Sequence, residues 1–263
     1  MIHVERGGGI LEQFRLDGRV AVVTGGGRGL GLGIATALAE AGADVVIVGQ
    51  TPSPAAVEAV SAAGGRVWEI SLDLLAASPA DLAALVAQVV ELAGRVDILV
   101  NNAGIIRRQP ALEFTEANWE DVIDLNLSTV FYLSQAFARV LVEQGDGGKI
   151  INIASMLSFQ GGKIVPSYTA SKSAVAGLTR ALASEWAPLG INVNAIAPGY
   201  FATDNTAQLR GDSGRAGEIL GRIPAGRWGD ARDLEGAALY LASRAAEYVH
   251  GAVLAVDGGW LTR

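Results

Sequence analysis

Tyr168 and Lys172 are the residues whose types and spacing most directly suggest chemistry. They stand four positions apart just after Pro166, and on a helix this spacing places both side chains on one face. A phenol titrates near ~10, which is too high for proton transfer close to neutral pH. An ammonium at ~4.5 Å, with an effective dielectric of ~20, stabilises phenolate by roughly 3–4 kcal/mol, or between two and three pK units. The pair therefore predicts that Tyr168 transfers a proton and that Lys172 alone brings its pKa close to working pH.

Ser155 and Asn126 add two polar groups to this pair. Ser155 follows the predicted strand Lys149–Ala154, so its hydroxyl is expected at the carboxyl edge of a sheet, suited to bind a substrate oxygen. Asn126 lies in the predicted helix Asn118–Gln144, where a buried amide needs partners and could hold a water that relays protons to Lys172. A surface pair, a helix cap and a core amide are the ordinary alternatives, and the four residues together favour a catalytic site.

A glycine-rich turn follows the first predicted strand. The segment Thr24–Gly31 reads TGGGRGLG, with Gly25, Gly29 and Gly31 in a spacing one residue longer than the usual dinucleotide fingerprint. Glycines allow a tight turn and a close approach of the backbone to a pyrophosphate, and the following helix offers free N–H groups. The turn therefore predicts binding of a dinucleotide cofactor.

Two further strand ends support this prediction. Asp73 closes the third predicted strand, where its carboxylate could accept a hydrogen bond from an adenine amino group, and Asn101–Gly104 (NNAG) ends the fourth. The second strand ends in Gln50 rather than the carboxylate that would hold an NAD ribose, and Arg28 could pair with the 2′-phosphate of NADP. The residues alone therefore leave NAD and NADP both open.

Composition excludes several other classes of protein. The chain has 263 residues, a formal net charge of −7 without a basic face, and no cysteine, so nucleic-acid binding and thiolate chemistry are not expected. His3 and His250 lie at opposite ends, and we predict no metal site. No apolar run reaches the roughly 18 residues of a membrane helix, and we expect no signal peptide at the N-terminus.

Short apolar runs alternate with alanine-rich, helix-patterned stretches, which predicts a single α/β domain with a doubly wound parallel sheet. The predicted strands are Arg19–Val23, Asp44–Val48, Val67–Ile70, Ile98–Val100, Lys149–Ala154, Asn192–Ala197 and Ala252–Val256. The predicted helices are Leu30–Ala41, Pro54–Ala63, Pro79–Leu92, Asn118–Gln144, Ser167–Ala187 and Asp230–Ala242, with N-caps at Ser53 and Ser78. Residues 1–15 are predicted as a flexible lead-in, 16–263 as the catalytic domain, and 199–223, which shows no clear period, as a lid.

At this point the motifs resemble the short-chain dehydrogenase/reductase family, in the order TGGGRGLG, NNAG, Asn126, Ser155, YTASK (Tyr168 to Lys172) and Pro198-Gly199. The resemblance implies a seven-stranded Rossmann-type sheet of order 3-2-1-4-5-6-7, a homotetramer, and a tetrad of Asn126, Ser155, Tyr168 and Lys172. It favours NAD, with NADP not excluded, and implies that Lys172 holds the nicotinamide ribose and Thr203 the carboxamide. The predicted cofactor residues are Gly25, Arg28, Gly29, Leu30, Gly31, Gln50, Asp73, Leu74, Asn102, Ala103, Gly104, Tyr168, Lys172, Pro198, Gly199, Phe201 and Thr203.

Longer segments, such as GGKIINIASMLSFQGG, resemble the members of this family that oxidise keto-deoxy sugar acids in the cytoplasm. A sugar acid needs a partner for its carboxylate, and Arg is the usual one. The candidate substrate residues are Arg107, Arg108, Ser155, Gln160 and Tyr168. The alternatives are a dehydrogenase of plain gluconates, a reductase of another polyol, steroid or acyl-carrier ketone, a sugar-nucleotide epimerase, and a nucleotide-sensing protein without activity.

Overall fold

Seven parallel strands form one sheet in the computed structural model, which describes residues 9–263. The strand order is β3-β2-β1-β4-β5-β6-β7, which confirms the predicted topology. The strands are β1 (Val20–Thr24), β2 (Asp44–Gly49), β3 (Val67–Ser71), β4 (Ile98–Asn101), β5 (Gly148–Ile153), β6 (Ile191–Pro198) and β7 (Val253–Val256). All seven predicted strands are present, with each end within one residue of its predicted position.

The sheet is buried on both faces along its centre, which explains the continuous apolar runs in the sequence. Every residue of β1, β4 and β6 is buried. Parallel strands covered by helices on both sides have no solvent face, so their residues do not alternate between apolar and polar. The edge strand β7 differs, because its two middle residues, Leu254 and Ala255, are exposed.

Nine α-helices flank the sheet within residues 9–263. They are α1 (Gly29–Glu40), α2 (Pro54–Ala63), α3 (Pro79–Ala93), α4 (Glu116–Ile123), α5 (Thr129–Gln144), α6 (Pro166–Trp186), α7 (Asp204–Gly211), α8 (Ser213–Arg222) and α9 (Arg232–Ala242). Apolar residues of α3, α5 and α6 fill the core on one face of the sheet, and those of α1, α2 and α9 fill the core on the other. Helices on both faces are what right-handed crossovers between parallel strands produce.

One predicted helix and the predicted lid differ from the structure. The predicted helix Asn118–Gln144 is interrupted by a π-helical segment, Asp124–Ser128, between α4 and α5. This segment contains no proline or glycine, and its hydrophobic pattern does not distinguish it from an α-helix. The predicted lid 199–223 is not irregular, since it contains α7 and α8.

The predicted helix caps differ from each other in the structure. The Ser78 hydroxyl accepts a hydrogen bond from the amide of Asp81, whose carboxylate accepts one from the Ser78 amide, and this capping box confirms the prediction. Ser53 precedes α2 but makes no side-chain cap. Its hydroxyl donates instead to the Gly27 carbonyl at 3.0 Å, so it ties α2 to the glycine turn.

The two remaining sequence predictions concern the lead-in and the longest helix. Residues 1–8 of the predicted lead-in, including Gly7 and Gly8, lie outside the described residues, and Ile10–Phe14 forms a 3-10 helix. The helical stretch Glu116–Gln144 is long and apolar enough to cross a membrane by length and composition alone. Phe137 and Leu141 of this stretch are fully buried against the sheet, so it serves as a core helix.

Candidate active site

The candidate site lies at the carboxyl ends of β1 and β4, where the strand order reverses. The chain proceeds from β1 outward to β2 and β3, and then crosses to β4 on the other side of β1. Helices leave such neighbouring strands in opposite directions, which opens a crevice at their carboxyl ends. The predicted glycine turn and the NNAG segment both border this crevice.

The glycine turn between β1 and α1 has the backbone geometry that its sequence predicts. Gly25 and Gly29 have φ of +64° and +55°, in the left-handed region that favours glycine. A Cβ on Gly31 would collide with the Gly25 carbonyl and would stand 2.5 Å from the Asn102 amide nitrogen. The turn therefore leaves its backbone exposed to a ligand at the N-terminus of α1, which fits a pyrophosphate.

Thr24 and Asn102 fasten the ends of β1 and β4 to each other. The Thr24 hydroxyl accepts hydrogen bonds from the amides of Asn102 and Ala103, both at 3.0 Å. The Asn102 side-chain amide donates to the carbonyls of Thr24 at 2.9 Å and Gly25 at 3.2 Å. The predicted residues Asn102 and Ala103 therefore hold the glycine turn in place, and Thr24 is a supporting residue that the sequence analysis did not identify.

Gln50 and Asp73 meet at the adenosine end of the crevice. The Gln50 side-chain amide donates to the Asp73 carboxylate at 2.9 Å, and the other Asp73 oxygen accepts from the amide of Leu75 at 3.0 Å. Leu74, beside Asp73, is buried. Arg28 lies at the start of α1, is highly exposed, and pairs with Asp204 of α7 at 3.2 Å. The structure thus brings the end of β2 and the end of β3 together. The Arg28 guanidinium lies at the exposed side of the glycine turn.

Tyr168 and Lys172 lie on one face of α6, as their spacing predicts. The Lys172 ammonium is 5.7 Å from the centre of the Tyr168 ring. Its nitrogen donates to the carbonyl of Ile153, the last residue of β5, at 2.5 Å. Lys172 is buried, with 4% of its surface exposed. The helix therefore holds a phenol and an ammonium side by side at the end of β5.

The electrostatics of this pair correct one expectation. Burial raises the pKa of Tyr168, while a hydrogen bond between its side chain and that of Ser155 and the charge of Arg108 act to lower it. Burial also lowers the pKa of Lys172 to about 8. The expectation that Lys172 alone brings the phenol near working pH is therefore wrong for this structure, because removing both groups from water opposes their charged forms. At neutral pH the pair is a neutral phenol beside an ammonium.

Ser155 caps a short 3-10 helix and faces Tyr168 at the same time. Its hydroxyl accepts from the amide of Leu157 at 3.1 Å and is joined to the Tyr168 side chain by a hydrogen bond. The ordinary alternative, a helix cap, is thus part of the arrangement and does not exclude a role in binding substrate. The cap fixes the position of the hydroxyl relative to the phenol.

Asn126 lies in the π-helical segment and is fully buried. Its side-chain oxygen accepts from the Ile105 amide, and its nitrogen donates to the Ile105 carbonyl, both at 2.9 Å, and to the Ser171 hydroxyl at 3.3 Å. Both polar atoms of its side-chain amide are therefore bonded to protein, while the oxygen keeps a second lone pair, and the water at this side chain stays a prediction. Asn126 ties the residue that follows the NNAG loop to α6.

Gly104 stands where the NNAG loop passes Asn126 and Lys172. A Cβ there would lie 3.0 Å from the Asn126 side-chain oxygen and 3.8 Å from the Lys172 nitrogen. A larger residue would push against both groups, so a glycine keeps the loop close to the predicted tetrad.

The three candidate substrate residues outside the tetrad, Arg107, Arg108 and Gln160, differ in their interactions. Arg107 pairs with Asp121 of α4 at 2.8 Å, which compensates its charge. The charge of Arg108 acts to lower the pKa of Tyr168 and that of Tyr200. The Gln160 side-chain oxygen accepts from Arg222 of α8 at 3.3 Å.

The segment from Pro198 to Thr203 leaves β6 beside this site. Phe201 is buried and bridges to Gly229, and a Cβ on Gly199 would clash with Asp257, so the chain is closely packed at the start of the lid. Thr203 caps α7, whose Thr206 hydroxyl donates to the Phe201 carbonyl. The predicted residues of this segment therefore fix the base of the lid.

A family model described as Enoyl-(Acyl carrier protein) reductase matches residues 25–261 of the chain. A 2-dehydro-3-deoxy-D-gluconate 5-dehydrogenase of Dickeya dadantii is 59% identical over 254 residues, which cover 97% of this chain and 100% of the relative.

Two solved structures show the same fold. A crystal structure from Agrobacterium tumefaciens with bound NADP, provisionally named 2-deoxy-D-gluconate 3-dehydrogenase, is 52% identical with a TM-score of 0.89 and covers 95% of this chain and 99% of its own. A gluconate 5-dehydrogenase from Burkholderia cenocepacia, in complex with NADP and tartrate, is 40% identical with a TM-score of 0.92 and covers 97% and 100%. The chain therefore shares its fold with both of these structures over nearly its whole length.

Proposed function

The chain belongs to the short-chain dehydrogenase/reductase family, and on this premise we propose that it interconverts a secondary hydroxyl and a ketone on a keto-deoxy sugar acid. The proposed reaction is that of a 2-dehydro-3-deoxy-D-gluconate 5-dehydrogenase, the name borne by a relative that is 59% identical over its whole length. The observation that carries the proposal is the phenol of Tyr168 beside the Lys172 ammonium and in contact with Ser155, at the edge of the glycine-turn crevice.

The cofactor is a nicotinamide dinucleotide, which supplies or takes up the hydride when bound. The glycine turn at the start of α1 fits its pyrophosphate, since Gly25 and Gly29 have positive φ and Gly29 is exposed at the N-terminus of α1. Gln50 and Asp73 stand at the adenosine end, and Gly104 lets the loop pass close to Lys172. These residues would hold the cofactor across the carboxyl ends of β1 and β4.

Tyr168 transfers the proton in the proposed mechanism. Its phenol donates to the substrate oxygen during reduction, and its phenolate takes the hydroxyl proton during oxidation. Ser155, joined to the phenol by a hydrogen bond, orients the same oxygen. Because burial raises the pKa of Tyr168, the neutral form that serves as a proton donor predominates at neutral pH.

Lys172 and Asn126 support this transfer. The Lys172 pKa of about 8 leaves its ammonium charged at neutral pH, where it favours negative charge on the neighbouring phenol. Asn126 holds the NNAG loop and the Ser171 turn of α6 together, so it positions the helix that carries both Tyr168 and Lys172. The proposed role of Asn126 is therefore to position the tetrad through its side-chain amide.

Arg108 is the proposed partner of the substrate carboxylate. Its charge acts on both Tyr168 and Tyr200. A guanidinium beside the reacting phenol can bind a carboxylate with two parallel hydrogen bonds. We infer that Arg108, rather than Arg107, orients the sugar acid.

NADP is proposed as a cofactor beside NAD. The end of β2 presents Gln50, an amide, where a carboxylate would repel a 2′-phosphate, and the Arg28 side chain is 83% exposed at the same edge. Two homologous crystal structures contain NADP. The prediction of NAD, with NADP not excluded, allows both cofactors, and we propose that both bind.

The experiment that tests the function follows the absorbance of reduced nicotinamide with NAD and with NADP. The panel contains 2-dehydro-3-deoxy-D-gluconate, 2-deoxy-D-gluconate, D-gluconate and the neutral polyol sorbitol. We expect the keto-deoxy or deoxy acids to give the highest kcat/KM. Equal or higher kcat/KM on gluconate would favour a gluconate 5-dehydrogenase, and turnover of sorbitol alone would contradict the proposal.

We also propose that the protein is a cytoplasmic homotetramer. The edge strand β7 exposes Leu254, and the α4–α5 side exposes Trp119 and Tyr132, which gives two separate apolar surfaces for two kinds of two-fold contact. The substitution Leu254→Glu should reduce the molar mass from four chains to two in light scattering, and an unchanged mass would contradict the use of β7.

A further inference from the structure

Four residues from separate segments meet between the lid and the candidate site, and we call them the lid cluster: Tyr200, Arg222, Trp228 and Trp260. The ring of Tyr200 lies 4.8 Å from that of Trp260 and 5.4 Å from that of Trp228, both edge to face. The guanidinium of Arg222 lies 4.0 Å from the centre of the Trp260 ring. Stacking on an aromatic face fixes a guanidinium in one orientation without neutralising its charge.

The cluster is attached to the active-site segment that follows Ser155. Met156 packs with Ile219 and Ile223 of the lid and with Trp260 in one buried apolar group. Arg222 donates to the Gln160 side chain at 3.3 Å, across the space between α8 and this segment. Arg222 therefore stands where the lid meets the loop that carries the candidate substrate residues.

Arg222 differs from other arginines of the lid region in its partners. Arg215 pairs with Glu218 at 3.1 Å, and Arg227 pairs with Asp233 at 2.7 Å. Within the described part of the chain, the hydrogen bond of the Arg222 side chain goes to an uncharged amide, and its ring contact is with an indole. A guanidinium held by uncharged partners keeps its capacity to pair with a carboxylate.

The charges that act on Tyr200 relate the guanidinium of Arg222 to the candidate site. Burial raises the pKa of Tyr200, and the charges of Arg215, Arg222 and Arg108 act to lower it. The charge of Arg108 also acts on Tyr168. The lid tyrosine and the tyrosine of the candidate site are therefore under the influence of one common guanidinium.

Trp260 adds a donor to the same region. It is 4% exposed, and its indole nitrogen has no hydrogen-bond partner among the described residues. A buried donor without a partner is costly unless a ligand or a water satisfies it. The lid cluster therefore offers hydroxyl, guanidinium and indole donors to a ligand rich in oxygen atoms.

We infer that Arg222 and Tyr200 recognise the carboxylate of the substrate from the lid side and so select acids over neutral sugars. This inference rests on the proposed function and adds a second half to the carboxylate site of Arg108. α8 already contacts the Ser155 segment through Arg222 and Met156, and a bound carboxylate would add a second link between them. Tyr200 and Arg222 are specificity residues in this account, since neither contacts the proton that is transferred.

The test compares 2-dehydro-3-deoxy-D-gluconate with its methyl ester, which has no charge, in the wild type and in Arg222→Met. Methionine keeps an apolar stem against Trp260 and removes the guanidinium. We expect kcat/KM for the acid to fall by about 10- to 100-fold, chiefly through KM, while kcat/KM for the ester changes less than about threefold. Tyr200→Phe should reduce the ratio of kcat/KM for the acid to kcat/KM for the ester by about 5- to 10-fold.

Arg227→Met is the matched control, because it removes a guanidinium next to Trp228 whose charge Asp233 compensates. This variant should keep the ratio of kcat/KM for the acid to kcat/KM for the ester within about threefold of the wild-type ratio. Thermal unfolding checks each variant, and Arg222→Gln replaces Arg222→Met if the latter does not fold. A wild type that does not prefer the acid would overturn the proposed function and this inference together, whereas an acid-selective wild type with an unchanged ratio in the Arg222 variant would overturn this inference alone.

Discussion

The hydroxyl of Ser158 joins two residues of the proposed tetrad through their main chains. It donates a hydrogen bond of 2.6 Å to the carbonyl of Lys172 and accepts one of 3.3 Å from the amide of Ser155. The turn that carries Ser155 and the helix that carries Lys172 are thereby held at a fixed separation. The Ser158 hydroxyl thus links the main chain of the residue that orients the substrate oxygen to the main chain of the residue that charges the site.

Replacing Ser158 with alanine should lower kcat by about 10-fold while leaving the Kd of the cofactor nearly unchanged, because the Ser155 turn loses its link to α6. The free energy of unfolding should fall by about 1–3 kcal/mol, since the Ser155 amide loses its acceptor. Steady-state kinetics and denaturant unfolding measure the two effects.

Ser173→Ala is the control for this change. The Ser173 hydroxyl donates to the Leu157 carbonyl at 3.2 Å, so it also joins α6 to the same turn, but it contacts neither Ser155 nor Lys172. Its kcat should stay within about twofold of the wild type. Equal losses in the two variants would show that any loosened contact of this turn matters and that Ser158 has no particular role.

Replacing Gly31 with alanine should raise the Kd of NADP at least about 10-fold, because the added Cβ meets the Gly25 carbonyl and displaces the glycine turn. Calorimetric titration of the cofactor measures this. Gly177→Ala, at an exposed helical position with open space around it, should leave Kd unchanged and stabilise the fold by up to about 1 kcal/mol. Normal affinity in the Gly31 variant would remove the turn from the cofactor site.

The rate of oxidation should rise with pH and that of reduction should fall. Burial raises the pKa of Tyr168, so the phenolate that oxidation requires forms only as the solution becomes alkaline. The charge of Arg108 lowers this pKa, and Arg108→Met should therefore move the alkaline inflection of kcat/KM to higher pH. Arg107→Met, where Asp121 compensates the lost charge, should leave it in place, and an inflection that moves equally in both variants would contradict the assignment.

Much of the fold follows from the sequence because its signals are local. The strands could be predicted to within one residue, since buried parallel strands read as apolar runs and each ends at a glycine, a polar cap or a proline. The π-helical segment around Asn126 could not, because its residues carry no feature that distinguishes them from an α-helix. The lid helix α7 was missed because it is polar around most of its surface and shows no apolar period. The lid helix α8 has an apolar side that includes the buried Ile219, and the sequence analysis did not recognise it.

The candidate site likewise has features that the sequence predicts and features that only the structure reveals. Tyr168 and Lys172 could be placed together from their spacing alone, because both lie on one helix. The links made by Thr24, Ser158 and Ser171 join residues far apart in the chain, and only the tertiary structure reveals them. The direction of the Tyr168 pKa was also beyond the sequence, since it depends on burial as well as on the neighbouring charge.

The most direct test of the account is the turnover of Tyr168→Phe with the sugar acid and NADP, measured by the absorbance of reduced nicotinamide. Phenylalanine preserves the packing of the ring and removes the group that transfers the proton. We predict that kcat falls at least about 100-fold while the Kd of the cofactor changes less than about threefold. A variant that turns over near the wild-type rate would contradict the role of Tyr168 and, with it, the proposed mechanism.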